Sequence, residues 1–546
     1  MTRREKVLAE GRPSPAEIRH CLERETLPRN LGALLDEASD AAPDREVLHF
    51  IDSGETFTYR ALRAAVNRLA NGLAAIGVRK GTHIGAMLPN IPEWPITWLA
   101  IARLGAVIVP VNTRYTGREL HHVLDDAEAD YLVIHESFLP VLANVPQPLP
   151  RIAGRIIVAG AEAAGHRRWR DLVDGSGADL SIADEPTQED LLNIQYTSGT
   201  TGFPKGCLLT QRYWLQCAKT HAGQDGRAYS RLLAPTPFFY MTPQWLTLMA
   251  FLTRGTLHVA ARQSASRFVE WLNRYRIDFC LFPAAAFKQP PLPFDRDNAI
   301  IRVSTYGFPK ASQADLEARF DFVAREAFGM TEIGAGLFVP IEAADMAGSG
   351  SCGLATPWRE CRIADQEGNT LKPGEMGELL FRGPGMLKGY YRKPEATAAA
   401  FHGEWFRSGD LARMDARGYV YIVGRAKDMI RRAGENIAAN EVEAVLGSLH
   451  GIAEAAAVPV PDELRGEEVK IYVVLQQGFS RETLSPELIL RHCAANLASF
   501  KLPRYIEYRD APLPRTASEK IAKPALVAEK DDLRAGSWDR VEREWR

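Results

Sequence analysis

The residues with the clearest chemical purpose lie in Tyr196-Thr-Ser-Gly-Thr-Thr-Gly-Phe-Pro-Lys-Gly206. Glycines such as Gly199 let the backbone come close to a polyanion, and successive N–H groups can line a concave nest. The hydroxyls of Thr197, Ser198, Thr200 and Thr201 add donors, and Lys205 adds a positive charge. That combination suits the phosphates of a nucleoside triphosphate. It is not a Walker A loop: Gly199 is followed by four residues and then Pro-Lys-Gly, where Walker A needs Gly-Lys-Ser/Thr. The flanks agree with a held loop rather than a free one. Leu191–Gln195 reads as a buried strand, and Cys207–Leu209 reads as extended, so no helix opens directly after the lysine.

Four more segments follow in order: Ala327-Phe-Gly-Met-Thr-Glu332, Trp405-Phe-Arg-Ser-Gly-Asp410, Gly424-Arg-Ala-Lys-Asp-Met-Ile430 with Gly434-Glu-Asn-Ile437, and Pro514-Arg-Thr-Ala-Ser-Glu-Lys520. With the loop, they resemble the ordered motifs of the adenylate-forming superfamily, which holds acyl-CoA synthetases, peptide-synthetase adenylation domains and luciferases. Val111-Asn-Thr-Arg-Tyr115 and the tail, with Trp538-Asp-Arg540, look like its carnitine/crotonobetaine-CoA ligase-like branch. The resemblance implies two half-reactions. A carboxylate attacks the α-phosphate of ATP, giving acyl-adenylate and pyrophosphate; coenzyme A then displaces AMP.

It also implies roles. Glu332 would hold Mg2+, Thr331 would hydrogen-bond the α-phosphate, and Phe328 would stack on adenine where most relatives have tyrosine. Asp410 would accept from both ribose hydroxyls, and Arg425 would contact ribose or phosphate. Lys520 would bridge the substrate carboxylate and the α-phosphate, with Glu519 beside it in place of the usual glycine. Lys427 would be the hinge about which a small domain turns, and Gly434 would let pantetheine pass close to the backbone.

Two segments are expected to line the acyl pocket: Pro235–Trp245 and Ser304–Lys310. They supply Phe238, Tyr240, Trp245, Tyr306, Gly307 and Phe308. Tyr240 stands where many relatives carry a histidine. Neither segment contains a carboxylate, which argues against an α-amino acid, because a buried ammonium left unpaired is costly. Two substrate types remain open: a betaine held by cation–π contacts, or a bulky apolar, aromatic or terpenoid acid.

The elements that must position these residues are legible from periodicity. Leu62, Val66, Leu69, Leu73 and Ile76 recur at helical spacing behind a Thr58 cap, with Gly77 as the stop. His83–Leu88, Ala106–Val111 and Tyr131–Ile134 read as strands, and Glu93–Leu104 reads as a helix. Thr116 and Glu119 form a capping box. Alternating helix and strand predicts an α/β fold with a largely parallel sheet. From about Gly348 short strands predict a small β-rich subdomain. After Arg425 come a predicted helix Ile437–Leu449, strands Glu454–Val460 and Val469–Gln476, helix Pro486–Leu497 and strand Arg504–Arg509. The expected organisation is a large N-terminal domain, residues 1–426, of layered α/β subdomains plus the β-rich one. A small mobile α+β domain, 427–546, follows.

Composition narrows the partners. The chain has 546 residues and balances 66 basic against 68 acidic groups, so no basic field points to nucleic acid. Seven scattered cysteines without a CxxC pair fit a reducing compartment and argue against a zinc site. The adjacent His121 and His122 lack metal-site spacing and read as solvated helix surface. No apolar run is long enough to span a membrane, and no leader is evident, so a cytoplasmic enzyme is expected. Monomer and homodimer are both open. Besides a full acyl-CoA synthetase using ATP, Mg2+ and coenzyme A, two alternatives stand: an enzyme of one half-reaction only, and a non-catalytic nucleotide-binding protein.

Overall fold

A computed structural model describes all residues except 164, 198–203, 426–427, 433–434, 498 and 517–519. The local signals build what they promise. Thr58 caps the helix Tyr59–Ala75 by accepting from the Ala61 N–H, and Leu62, Val66, Leu69 and Leu73 are all buried on its inner face. Gly77 turns the chain at a φ of 97°, in the left-handed region that disfavours side chains. Thr116 and Glu119 close their capping box on the helix Gly117–Asp126. The helix Glu93–Arg103 is buried from Trp94 to its end, as an element between layers must be.

The chain divides into two compact units. The first comprises residues 1–197, 204–361 and 381–404 and contains two large sheets. One runs, edge to edge, through Arg167–Arg168, Ile156–Ala159, Tyr131–His135, His83–Met87, Val107–Pro110, Leu191–Thr197 and Lys205–Thr210. Its pairs are parallel except the last, which is an antiparallel hairpin. The interior strands are largely apolar because both faces are covered, with the buried Asn193 and Gln195 as exceptions in Leu191–Thr197.

The other sheet centres on the parallel strands Glu46–Phe50, Thr256–Val259, Arg231–Ala234, Phe279–Leu281, Arg302–Thr305 and Val323–Met330. Antiparallel strands Gly334–Phe338 and Thr56–Thr58 flank it.

The second unit comprises, among the described residues, 362–380 and 405–546. Strands Trp405–Met414 and Val420–Arg425 pair antiparallel within it. Further on, Ile452–Asp462 and Gly466–Leu475 form a long antiparallel pair, and Tyr505–Arg509 runs parallel to the latter. Val442, Leu446, Ile489 and Cys493, from the helices Ala439–Gly447 and Pro486–Asn496, share their core.

Two expectations are corrected. Ile437 and Ala438 do not open a helix; they end the strand Glu435–Ala438, where Ile437 pairs with Ile430 and is buried. A β-branched residue packs better there than in a first helical turn. His121 and His122 are half-buried rather than fully solvated. All seven cysteines are free thiols. Among the described residues no helix is long and apolar enough to cross a membrane.

Candidate active site

The phosphate-loop candidates Ser198, Gly199, Thr200 and Thr201 lie outside the described residues, and so do Lys427 and Gly434. The base of the loop is well defined. Thr197 and Lys205 are cross-strand partners, next to the pair Tyr196 and Gly206. A Cβ at Gly206 would stand 2.4 Å from Ile194 Cγ2, so only glycine lets the two strands close at this point. The Tyr196 hydroxyl donates to Asp126 at 2.7 Å, and Asp126 also pairs with Lys393 at 2.7 Å.

Behind that base stands Tyr390. The Lys205 ammonium lies 4.8 Å from its ring centroid, and its hydroxyl donates to Glu332 Oε1 at 3.1 Å. Burial and the Glu332 carboxylate push the Tyr390 hydroxyl well above its ordinary range, so it stays a donor at neutral pH. One tyrosine thus connects the expected phosphate-binding ammonium with the expected Mg2+-binding carboxylate. Glu332 also receives the Leu387 N–H on its backbone carbonyl at 2.8 Å. Cys207 is fully buried and held well above the usual thiol range by desolvation and then by Glu332, so it is no nucleophile.

Thr331 and Glu332 sit on the tight turn between strands Val323–Met330 and Gly334–Phe338. Gly329 is required there: a Cβ would stand 2.7 Å from the Gly334 carbonyl oxygen. The buried Arg359 holds the turn, donating from Nε to the Ile333 carbonyl at 2.8 Å and from Nη1 to the Pro384 carbonyl at 2.7 Å. Burial lowers its pKa to about 10, which leaves it charged at neutral pH. Phe328 is stacked on Phe381, with centroids 5.9 Å apart.

In the second unit Asp410 and Arg425 face each other across paired strands, with Arg425 Nε 2.7 Å from Asp410 Oδ1. Just before Asp410 in its strand, Gly409 takes a φ of 70°, in the left-handed region that disfavours side chains. Ser408 Oγ accepts from the Asp410 N–H at 3.0 Å and donates to the Leu379 carbonyl at 2.6 Å. Lys520 is exposed, and its carbonyl accepts from the Thr516 N–H at 2.7 Å.

The candidate acyl segment Pro235–Trp245 is tied to the loop-bearing strand by buried amides. Gln244 donates to the carbonyls of Phe238 and Tyr240 at 3.0 and 3.1 Å, and Gln195 donates to that of Phe239 at 2.8 Å. Asn193 donates to Gln244 Oε1 at 2.9 Å. Sequence reasoning missed these three. The available signal was Asn193 and Gln195 alternating in an otherwise apolar strand, with Gln244 in an apolar helix.

Most of the aromatic rings already have ring partners. Phe238 stacks on Trp94 at 5.0 Å, Trp245 on His221 at 3.7 Å, and Phe308 meets Phe287 at 5.7 Å. His221 is buried, and desolvation followed by the Arg302 charge lowers its pKa to about 3, so it is neutral. Tyr240 is half-buried, while Tyr306 and Gly307 are exposed, Tyr306 at 43%. The segment is also served by a carboxylate from elsewhere. Glu326 accepts from Thr305 Oγ1 at 2.6 Å and from the Gly307 N–H. The absence of acid residues within Ser304–Lys310 therefore does not leave this segment without one. Burial raises the Glu326 pKa, and its hydrogen bonds oppose that shift only in part.

With that geometry in place, the chain can be compared with known proteins. The AMP-binding enzyme family matches residues 35–391, and the AMP-binding enzyme C-terminal domain matches residues 441–520. A crotonobetaine/carnitine–CoA ligase of Salmonella paratyphi C (strain RKS4594) is 31% identical over 520 residues, covering 91% of this chain and 99% of its own. Among solved structures, an anthranilate CoA ligase in complex with anthranoyl-AMP is similar with a TM-score of 0.84 at 25% identity. That match covers 93% of this chain and 98% of that one. The o-succinylbenzoate coenzyme A synthetase of Bacillus subtilis, in complex with ATP and magnesium ion, gives 0.79 at 26% identity, covering 91% and 99%.

Proposed function

Since the chain belongs to the AMP-binding enzyme family and is an acid–thiol ligase of its acyl-CoA ligase group, we propose that it carries out both half-reactions on one carboxylic acid. ATP and the acid give an acyl-adenylate and pyrophosphate; coenzyme A then gives the acyl thioester and AMP. The observation that carries this reading is the Lys205–Tyr390–Glu332 constellation. An ammonium and a carboxylate held by one tyrosine suit a phosphate and its counter-ion.

Glu332 offers a hard carboxylate oxygen, the donor Mg2+ prefers, and bound Mg2+ would offset charge on the phosphate oxygens. Lys205 binds phosphate, Phe328 stacks on adenine, and Asp410 accepts from the ribose diol while Arg425 holds it in place. Lys520 brings its ammonium between two anions that must meet. An aimed charge of that kind is worth roughly 10²–10³ in rate.

The acid we propose is apolar and bulky, aromatic or terpenoid. A cage for a quaternary ammonium needs open ring faces, and here Phe238, Trp245 and Phe308 already pack against other rings. A betaine is the second reading, and the 31% identical ligase supports it. Incubation with ATP, coenzyme A and matched aromatic, terpenoid, fatty and betaine acids, read by mass spectrometry, tests both. Acid-dependent ATP–pyrophosphate exchange separates a full synthetase from an enzyme that only thiolates a supplied adenylate. Thioester from the betaine alone would overturn the apolar assignment.

A further inference from the structure

Outside every motif used above, Glu46, His49 and His258 meet on one sheet of the first unit. Strands Glu46–Phe50 and Thr256–Val259 run parallel with His49 directly opposite His258, so both imidazoles leave the same face. Their rings lie 5.3 Å apart. Glu46 is three residues before His49, and in a regular strand it would point the other way. A register shift between Glu46 and Leu48 changes that and sets the carboxylate 3.3 Å from His49 Nδ1. Bulges of this kind re-aim side chains. One ligand atom from each of the three residues lies within 4.8 Å of those of the other two.

The hydrogen bonds of His258 fix its tautomer. Its Nδ1 faces the Leu232 carbonyl at 3.3 Å, which can only accept, so Nδ1 carries the proton. Its Nε2 faces Arg231 Nη2 at 3.4 Å, which can only donate, so the lone pair lies on Nε2. A backbone carbonyl on the far nitrogen is the usual support of a metal-binding imidazole. Arg231 is the competitor for that lone pair, and its Nε is anchored on the Tyr275 carbonyl at 2.6 Å. His49 and Glu46 keep partial exposure, 22% and 39% of their side chains, so an ion can reach them.

The geometry points to a site for one borderline divalent cation (Zn2+, Ni2+ or Cu2+) bound by Glu46, His49 and His258 in exchange for the Arg231 contact. Two imidazoles and one carboxylate select these ions over Mg2+, and three protein ligands with a water complete the usual zinc shell. The site ties two parallel strands together and is independent of the active-site reading.

Full-length, chelator-treated protein is dialysed against Zn2+ in excess Mg2+, and bound zinc is counted. The wild type should hold one more ion per chain than His258→Gln, and Zn2+ should raise its Tm. Glu46→Gln, a change at a partly exposed position, should weaken binding about tenfold, and Arg231→Ala should tighten it. Cu2+ in place of Zn2+ should show an electron paramagnetic resonance spectrum with two imidazole nitrogens, one of them lost in His258→Gln. An equal zinc dissociation constant for the wild type and Glu46→Gln, or a copper spectrum unchanged by His258→Gln, would overturn the site. An Arg231→Ala protein that binds no tighter would contradict the role given to His258 Nε2.

Discussion

The first unit and the second hold their charged groups in different ways. In the first, Lys205 and Glu332 are fixed through Tyr390, and the turn carrying Glu332 is clamped by a fully buried arginine. In the second, Asp410 is held within its strand by Ser408 and by Arg425, whereas Lys520 is exposed. The contrast separates the groups expected to bind phosphate and sugar, which sit in a framework of named partners, from the exposed residue expected to reach the reacting carboxylate. A fixed group should influence both stability and binding. An exposed one should influence chemistry alone.

The largest effect should come from the exposed group. Lys520→Ala should cut acid-dependent adenylation by about 10²–10³, with Tm and ATP affinity unchanged; a matching loss of ATP binding would erase the contrast. Tyr390→Phe removes a hydrogen bond to a charged group, which is worth about 1.5–3 kcal/mol. It should raise the KM for Mg2+-ATP roughly tenfold or more, as read from steady-state kinetics.

Acid sensitivity should belong to the buried framework. His221 has a folded pKa of about 3 against an ordinary value of 6.5, so below pH 6.5 the unfolded chain binds a proton that the folded chain refuses. Stability therefore falls as pH drops from 6.5 toward 3, by about 2 kcal/mol at pH 5 for this group. His221→Phe, which keeps the stack on Trp245, should lose less Tm between pH 7 and 5 than the wild type.

The smallest effect is expected at Glu326, whose folded pKa is raised. Its contribution is fully present below its unfolded pKa and is lost as pH rises through the folded one. At neutral pH Glu326→Gln should thus be neutral or stabilising, by under about 1 kcal/mol. A large loss of Tm would show that the ionised form is needed.

Much of the framework was legible in the residues. The Thr58 helix, the Thr116 capping box and the strand pair around the candidate phosphate loop all follow from local periodicity and capping, because their partners lie a few residues away. The connecting residues were not legible. Tyr390 meets Glu332 across 58 positions and Gln244 meets Asn193 across 51, and no spacing rule reaches so far. Arg359 and Glu326 look like ordinary surface charges until the fold buries them. At Ile437 the helical pattern and the strand pattern both fit a short apolar run, and pairing with Ile430 decided between them.

The most direct test is ATP–pyrophosphate exchange measured with a cognate acid in the wild type and in Lys520→Ala, with nucleotide binding followed in parallel. The account predicts acid-dependent exchange in the wild type, lost about a hundredfold or more in the variant while ATP still binds. Exchange that is equal in the two proteins, or absent from a wild type that still converts a supplied acyl-adenylate to its thioester, would contradict it.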